Sequence, residues 1–163
     1  MLNQSKGSPP PWRDRQTGRL VHVLLVEDDD VAAAHMERSF KKSGIQNPLL
    51  RASDGVDALE ILRGENGKEK LPSPFMIFLD LRMPRMDGLE FLAEIRSDPK
   101  LESSVVFVLT TSPHEEDRTA AYKQHIAGYI QKTRVGRDCD ALVDMLHNYW
   151  ATVDLPGEAG VVG

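Results

Sequence analysis

A single cysteine, Cys139, is all that this chain of 163 residues carries, so no disulfide can form within it. No apolar stretch is long enough to span a bilayer, and the first residues lack the apolar core of a signal peptide. A basic excess is missing too: the net charge is −5, which argues against nucleic-acid binding. No internal repeat or low-complexity core is present. These absences leave a soluble globular protein, expected in the cytoplasm, with neither DNA nor membrane as a partner. The length suits one domain with a full hydrophobic core, plus tails.

What is present is a series of short apolar runs. The most informative is Phe75-Met76-Ile77-Phe78-Leu79, which ends in Asp80 and is bounded by Pro74 and Pro84. Short, unbroken and proline-bounded, it reads as a buried parallel strand. Similar runs are Leu20 to Val26, ending in Glu27-Asp28-Asp29-Asp30; Pro48 to Ala52; Val105 to Leu109, ending in Thr110; and Gly128 to Gln131, ending at Lys132. Amphipathic segments lie between them: Val31 to Ser43, Val56 to Leu62, Gly88 to Ser97 and Pro113 to His125. Asp29 or Asp30 is expected to cap the first helix. Asp138 or Asp140 is expected to cap the last, which runs to about Trp150. Strand and helix alternate five times, a pattern that makes a parallel sheet with right-handed crossovers and helices on both faces. Residues 1–18, polar and rich in Pro, Ser and Gly, read as a disordered leader. The folded domain then covers 19–151, and 152–163 is a C-terminal arm.

A parallel sheet brings all strand C-termini to one edge, where open α/β sheets keep their sites. Glu27 and Asp28, Asp80, Thr110 and Lys132 all meet there, although they are far apart in sequence. Three clustered carboxylates resist full ionisation. A hard divalent cation resolves that, and oxygen ligands suit Mg²⁺. Lys132 adds a point positive charge and Thr110 a hydroxyl. Together these groups can hold a phosphoryl group, with Asp80 as the oxygen that receives it. An aspartate-nucleophile phosphatase would carry a second Asp two residues after the first, where this chain has Arg82. A nucleotide binder would want a Gly-rich loop after the first strand, where this chain has acids.

Val23-Leu24-Leu25-Val26-Glu27-Asp28, Leu79 to Gly88, Val108 to Ser112 and Gly128-Tyr129-Ile130-Gln131-Lys132 closely resemble the receiver domain of two-component response regulators. The resemblance spans Leu20 to Tyr149. It implies a flavodoxin-like doubly wound sheet with strand order 2-1-3-4-5. It implies Asp80 as phosphoacceptor, Lys132 as phosphoryl-binding lysine, and Thr110 and Tyr129 as a switch pair. It also implies Glu27, Asp28, Asp80 and the Arg82 backbone carbonyl as Mg²⁺ ligands. The donor it implies is a phosphohistidine on a sensor histidine kinase. Thr110-Thr111-Ser112, Glu115-Glu116-Asp117, Tyr122 and the polar loop 64–74 resemble more narrowly the small regulators paired with phytochromes. Three departures stand out, one of them Thr111 in place of a smaller residue common in the family. Glu27 replaces the usual Asp, keeping the carboxylate on a longer arm. Thr133 replaces the usual Pro after the lysine, and a cis bond without Pro costs about 2.5–4 kcal/mol.

Nothing after Trp150 is expected to fold as an output domain, so the signal is expected to leave by protein contact. Val143, Trp150, Val153 and Leu155 are expected to form an apolar surface for a homodimer or another partner. The alternative is a receiver-like scaffold or dimerisation module that works without phosphorylation.

Overall fold

The five apolar runs form one parallel sheet of strands β1 (His22–Val26), β2 (Leu49–Ala52), β3 (Phe75–Leu79), β4 (Val105–Thr110) and β5 (Gly128–Gln131), in the order β2-β1-β3-β4-β5. Helices α1 (Asp30–Lys42), α2 (Gly55–Arg63), α3 (Gly88–Ser97), α4 (Glu115–Lys123) and α5 (Asp140–Thr152) connect or follow them. The computed structural model describes residues 10–135 and 139–157. The expected flavodoxin-like topology is therefore the one found.

Successive strand residues point to opposite faces, and this divides the core in two. Leu24, Val26, Ile77, Leu79, Val106 and Val108 pack with residues of α2, α3 and α4. Val23, Leu25, Met76, Phe78, Phe107 and Leu109 pack with Ala33, Met36 and Phe40 of α1 and Leu142, Val143 and Leu146 of α5. Apart from His22 and Thr110 at their ends, the three central strands carry only apolar residues, because both faces are covered.

The helix ends follow from local chemistry. Asp29 caps α1 by accepting from the amides of Val31 and Ala32. Asp54 caps α2, whose other end closes at Gly64 in the left-handed region (φ 69°). Asp87 and Glu90 form a capping box on α3. For α5 the expected cap is corrected. Asp140 is the first helical residue, and Cys139 precedes it with φ 55° and no side-chain cap; Asp138 lies outside the described residues. Arg96, half-buried at the end of α3, donates to the carbonyls of Glu102, Ser104, Gln124 and His125 at 2.7–3.0 Å. It fastens the ends of α3 and α4 together.

The N-terminal segment differs most from expectation. Residues 10–18 are not a free leader; 1–9 lie outside the described residues. Trp12 is buried, with its ring 5.0 Å from that of Trp150 and 5.5 Å from that of His147. Its amide and carbonyl are both bonded to the Asn47 side chain, whose amide nitrogen also donates to the Val21 carbonyl. Arg13 bridges Leu20, and the Val21 amide donates to the Trp12 carbonyl. This is why β1 starts two residues later than expected. An indole can offset the cost of ordering a short polar segment.

The same strap changes the expected partner surface. Val143 is 4% exposed and belongs to the core. Trp150 is half-buried and covered by Trp12. Leu155 packs back on the same cluster, and Val153 is half-buried. A helix flanked by a sheet and a strap buries a wider stripe than sheet contact alone requires. These four residues therefore do not form an open apolar face.

Trp12→Ala tests the strap. It is expected to lower the unfolding free energy by about 3 kcal/mol, measured by urea denaturation of the full chain.

Candidate functional site

The register of β1 on β3 pairs Val26 with Leu79. The next residue of each strand, Glu27 and Asp80, therefore leaves the sheet side by side, and the Asp80 amide donates to the Val26 carbonyl at 3.0 Å. Lys132 arrives from the end of β5. Its ammonium lies 2.7 Å from Glu27 Oε2 and 3.3 Å from Asp80 Oδ2. Glu27 and Asp80 are buried, and Asp28 is exposed. One carboxylate oxygen from each of the three lies within 4.8 Å of the others.

Charge at this edge is unbalanced, with three carboxylates facing one ammonium. Burial raises the Glu27 carboxyl above its usual pKa, and the Asp80 charge adds to this against the pull of Lys132. Burial alone would lower the Lys132 ammonium, but its bonds and charge interactions with Glu27 and Asp80 outweigh it, and the net shift is upward. Both shifts favour retaining a proton, as expected where positive charge is in short supply. Hard oxygen donors in such a deficit suit a small divalent cation.

The acidic loop after β1 is tied down by Arg51, a residue that sequence reasoning misses. Its guanidinium donates to the Glu27 carbonyl at 2.9 Å and the Asp28 carbonyl at 3.0 Å, and pairs with Asp30 at 2.6 Å. Arg51 thus supplies the counter-charge that the run of acids needs while leaving the Glu27 and Asp28 carboxylates to the site.

The loop from Asp80 to α3 folds back tightly. A Cβ on Gly88 would sit 2.6 Å from the Asp80 carbonyl oxygen, so only glycine fits there. Arg85 adopts φ 61°, a conformation that costs a side-chain-bearing residue roughly 1 kcal/mol or more. Its two-point pairing with Asp54, at 2.6 and 3.0 Å, offsets this. The Arg82 amide lies 3.4 Å from Asp80 Oδ1.

Thr110 is fully buried, and its hydroxyl accepts from the Ser112 amide at 3.2 Å. The Tyr129 hydroxyl donates to the Ser112 carbonyl at 3.1 Å. The two residues expected to act as a pair therefore meet through Ser112. Among the described residues the only cis peptide bond is Ser73-Pro74, so Lys132-Thr133 is trans. Lys132–Arg134 forms one turn of 3-10 helix. Glu27, Asp28, Asp80 and Lys132 are brought into direct proximity; Val143, Trp150 and Leu155 lie with the other core cluster. The pairings of Arg51 with Asp30, Arg85 with Asp54 and Arg82 with Asp117 give no sequence signal, because pairing between distant charges leaves no periodicity to read.

The family described as response regulator receiver domain matches residues 23–146. Response regulator Rcp1 of Synechocystis sp. is 38% identical over 135 residues, covering 82% of this chain and 92% of Rcp1. The crystal structure of its Mn(2+)-bound form superposes with a TM-score of 0.73, over 84% of this chain and 99% of that one. The phosphorylated cyanobacterial phytochrome response regulator RcpA is 32% identical with a TM-score of 0.72, over 83% and 98%. Response regulator RPA3017, in red light signaling of R. palustris, is 28% identical with a TM-score of 0.74, over 85% and 99%.

The charge deficit predicts a response to divalent cations. Mg²⁺ at ten times its dissociation constant is expected to stabilise the protein by about 1.4 kcal/mol, read as a rise in Tm over a sample in chelator. Asp28→Asn, at an exposed position, is expected to remove most of that rise.

Proposed function

This chain belongs to the response regulator receiver domain family, and from that premise we propose that Asp80 accepts a phosphoryl group from a phosphohistidine of a sensor histidine kinase. The observation that carries this reading is the gathering of Glu27, Asp28 and Asp80 within 4.8 Å of one another, with Lys132 bonded to two of them. A carboxylate oxygen of Asp80 attacks phosphorus while the phosphorus–nitrogen bond breaks. The imidazole leaves with the bonding pair and takes up a proton.

Lys132 is suited to follow the charge. In this structure it holds two carboxylates; during transfer it turns to a phosphoryl oxygen and keeps the incoming anion beside Asp80. The buried Thr110 hydroxyl is at the end of the neighbouring strand and serves as the donor to a second oxygen. Glu27, Asp28, Asp80 and the Arg82 carbonyl would hold Mg²⁺. When bound, Mg²⁺ supplies the positive charge that the site lacks and lets a further anion approach.

The name of the relative RcpA, a phytochrome response regulator, supports a phytochrome as the kinase in question, and the cytoplasm is the compartment we propose for the exchange. No helix among the described residues is long and apolar enough to cross a membrane. Output passes to a protein partner. A homodimer would have to form without Val143, which is core, and with Trp150 already under Trp12. A scaffold that ignores phosphorylation has no use for a strained set of three carboxylates and one lysine.

Incubation with Mg²⁺ and acetyl phosphate, or with a phosphorylated sensor kinase, is expected to add one phosphoryl mass in a base-labile linkage. Asp80→Asn is expected to add none. Wild-type protein that stays unmodified, or a variant that is modified equally, contradicts the assignment.

A further inference from the structure

Arg82 stands two residues beyond Asp80, and its side chain reaches away from the site. Its guanidinium lies 2.6 Å from Asp117 on α4. The same Asp117 oxygen accepts the Ser112 hydroxyl at 2.6 Å. Ser112 is buried, accepts from Tyr129 through its carbonyl, and donates to Thr110 through its amide. One chain of contacts thus runs from the loop after Asp80 to α4 and back to both expected switch residues.

The C-terminal end of α4 is held by Arg96, through the Gln124 and His125 carbonyls, and by the bond from the Tyr129 amide to the Tyr122 hydroxyl; its N-terminal end has fewer ties. Ala121 is the only buried residue of α4, and the helix has no side-chain cap at its N-terminus. Segments with few buried apolar contacts open at low free energy. The ion pair, together with the Ser112 bond, ties the N-terminal end of α4 to the β3–α3 loop. It is also lopsided. Asp117 is 14% exposed, whereas the Arg82 side chain is 64% exposed. The Ser112 hydroxyl, with the Arg82 charge, holds the Asp117 carboxyl below the usual carboxylate range.

We propose that Arg82 and Asp117 form a charge latch on the β4–α4 turn, and that a phosphoryl group on Asp80 opens it by competing for the Arg82 guanidinium. The competition follows from charge and shape. A phosphoryl group brings about −1.5 to −2 charges, and a guanidinium binds phosphate oxygens in a two-point fork. Arg82 is close in sequence to the new anion, and its exposed side chain can swing without disturbing the core. Once Arg82 leaves, Asp117 keeps only Ser112. The turn bearing Ser112 then loses its tie to the β3–α3 loop, and the α4 surface becomes free to rearrange for a partner. The second half of this inference rests on Asp80 as phosphoacceptor.

Hydrogen exchange followed by mass spectrometry tests the latch on the full chain. In unphosphorylated Asp117→Asn and Arg82→Gln, amides of residues 112–123 are expected to exchange about fivefold faster than in wild type. The double variant is expected to be no faster than either single one. Phosphorylation with Mg²⁺ and acetyl phosphate is expected to speed the same amides in wild type and to add little in the variants. Unchanged exchange in both unphosphorylated single variants overturns the latch. So does a phosphorylated Asp117→Asn whose exchange rises as much as that of wild type. A wild-type protein that gains no phosphoryl mass overturns the acceptor reading and the opening step together. A protein that gains the mass while its α4 exchange stays unchanged overturns the opening step alone.

Discussion

Three carboxylates sharing one ammonium is the constraint on which this structure depends. Glu27 and Asp80 leave adjacent parallel strands at the same level, so the sheet itself forces them together. Asp28 adds a third negative charge in the exposed loop, and Lys132 bridges the two buried ones. Burial of Glu27 without a second cation is costly. The packed cores on both faces of the sheet offset that cost. That stored imbalance suits the site to a divalent cation and to a group that exchanges phosphoryl charge.

The surrounding residues divide between tethering and transmitting. Arg51 holds the acidic loop by its carbonyls, and Arg85 pins the loop after Asp80 to the capped end of α2. Both arginines direct their charge to backbone or to Asp30 and Asp54, leaving the site's own carboxylates unneutralised. Arg82 is different: it is mostly exposed and spans to α4. The side of the site that faces β2 and α2 is thus tied by two arginines, and the side that faces α4 by one exposed pair.

The strand tips are legible in the sequence because each apolar run ends abruptly in a residue with a task. Asp80 after five apolar residues and Lys132 after a short run need only the parallel topology to bring them together. Caps such as Asp29 are legible because capping is local. What the sequence hides is all long-range. Trp12 sits among prolines and polar residues, and nothing nearby shows that Asn47 and Trp150 receive it. Helical spacing alone turns Val143 outward. The spacing is sound, but α5 buries a wide stripe beneath the sheet and the N-terminal strap. Arg96, bonded to four carbonyls, resembles any surface arginine until the ends of α3 and α4 are seen together.

In the unphosphorylated, cation-free protein the carboxylate cluster lacks positive charge. The most direct test of that deficit is the unfolding free energy of Asp80→Asn against wild type in the presence of a chelator. The amide keeps the size of the side chain and can still accept from Lys132, while one buried negative charge is gone. The variant is predicted to be more stable by about 1 kcal/mol, with the gap narrowing when Mg²⁺ is added. A variant less stable than wild type in chelator would show instead that Lys132 already balances the site and that no positive charge is lacking.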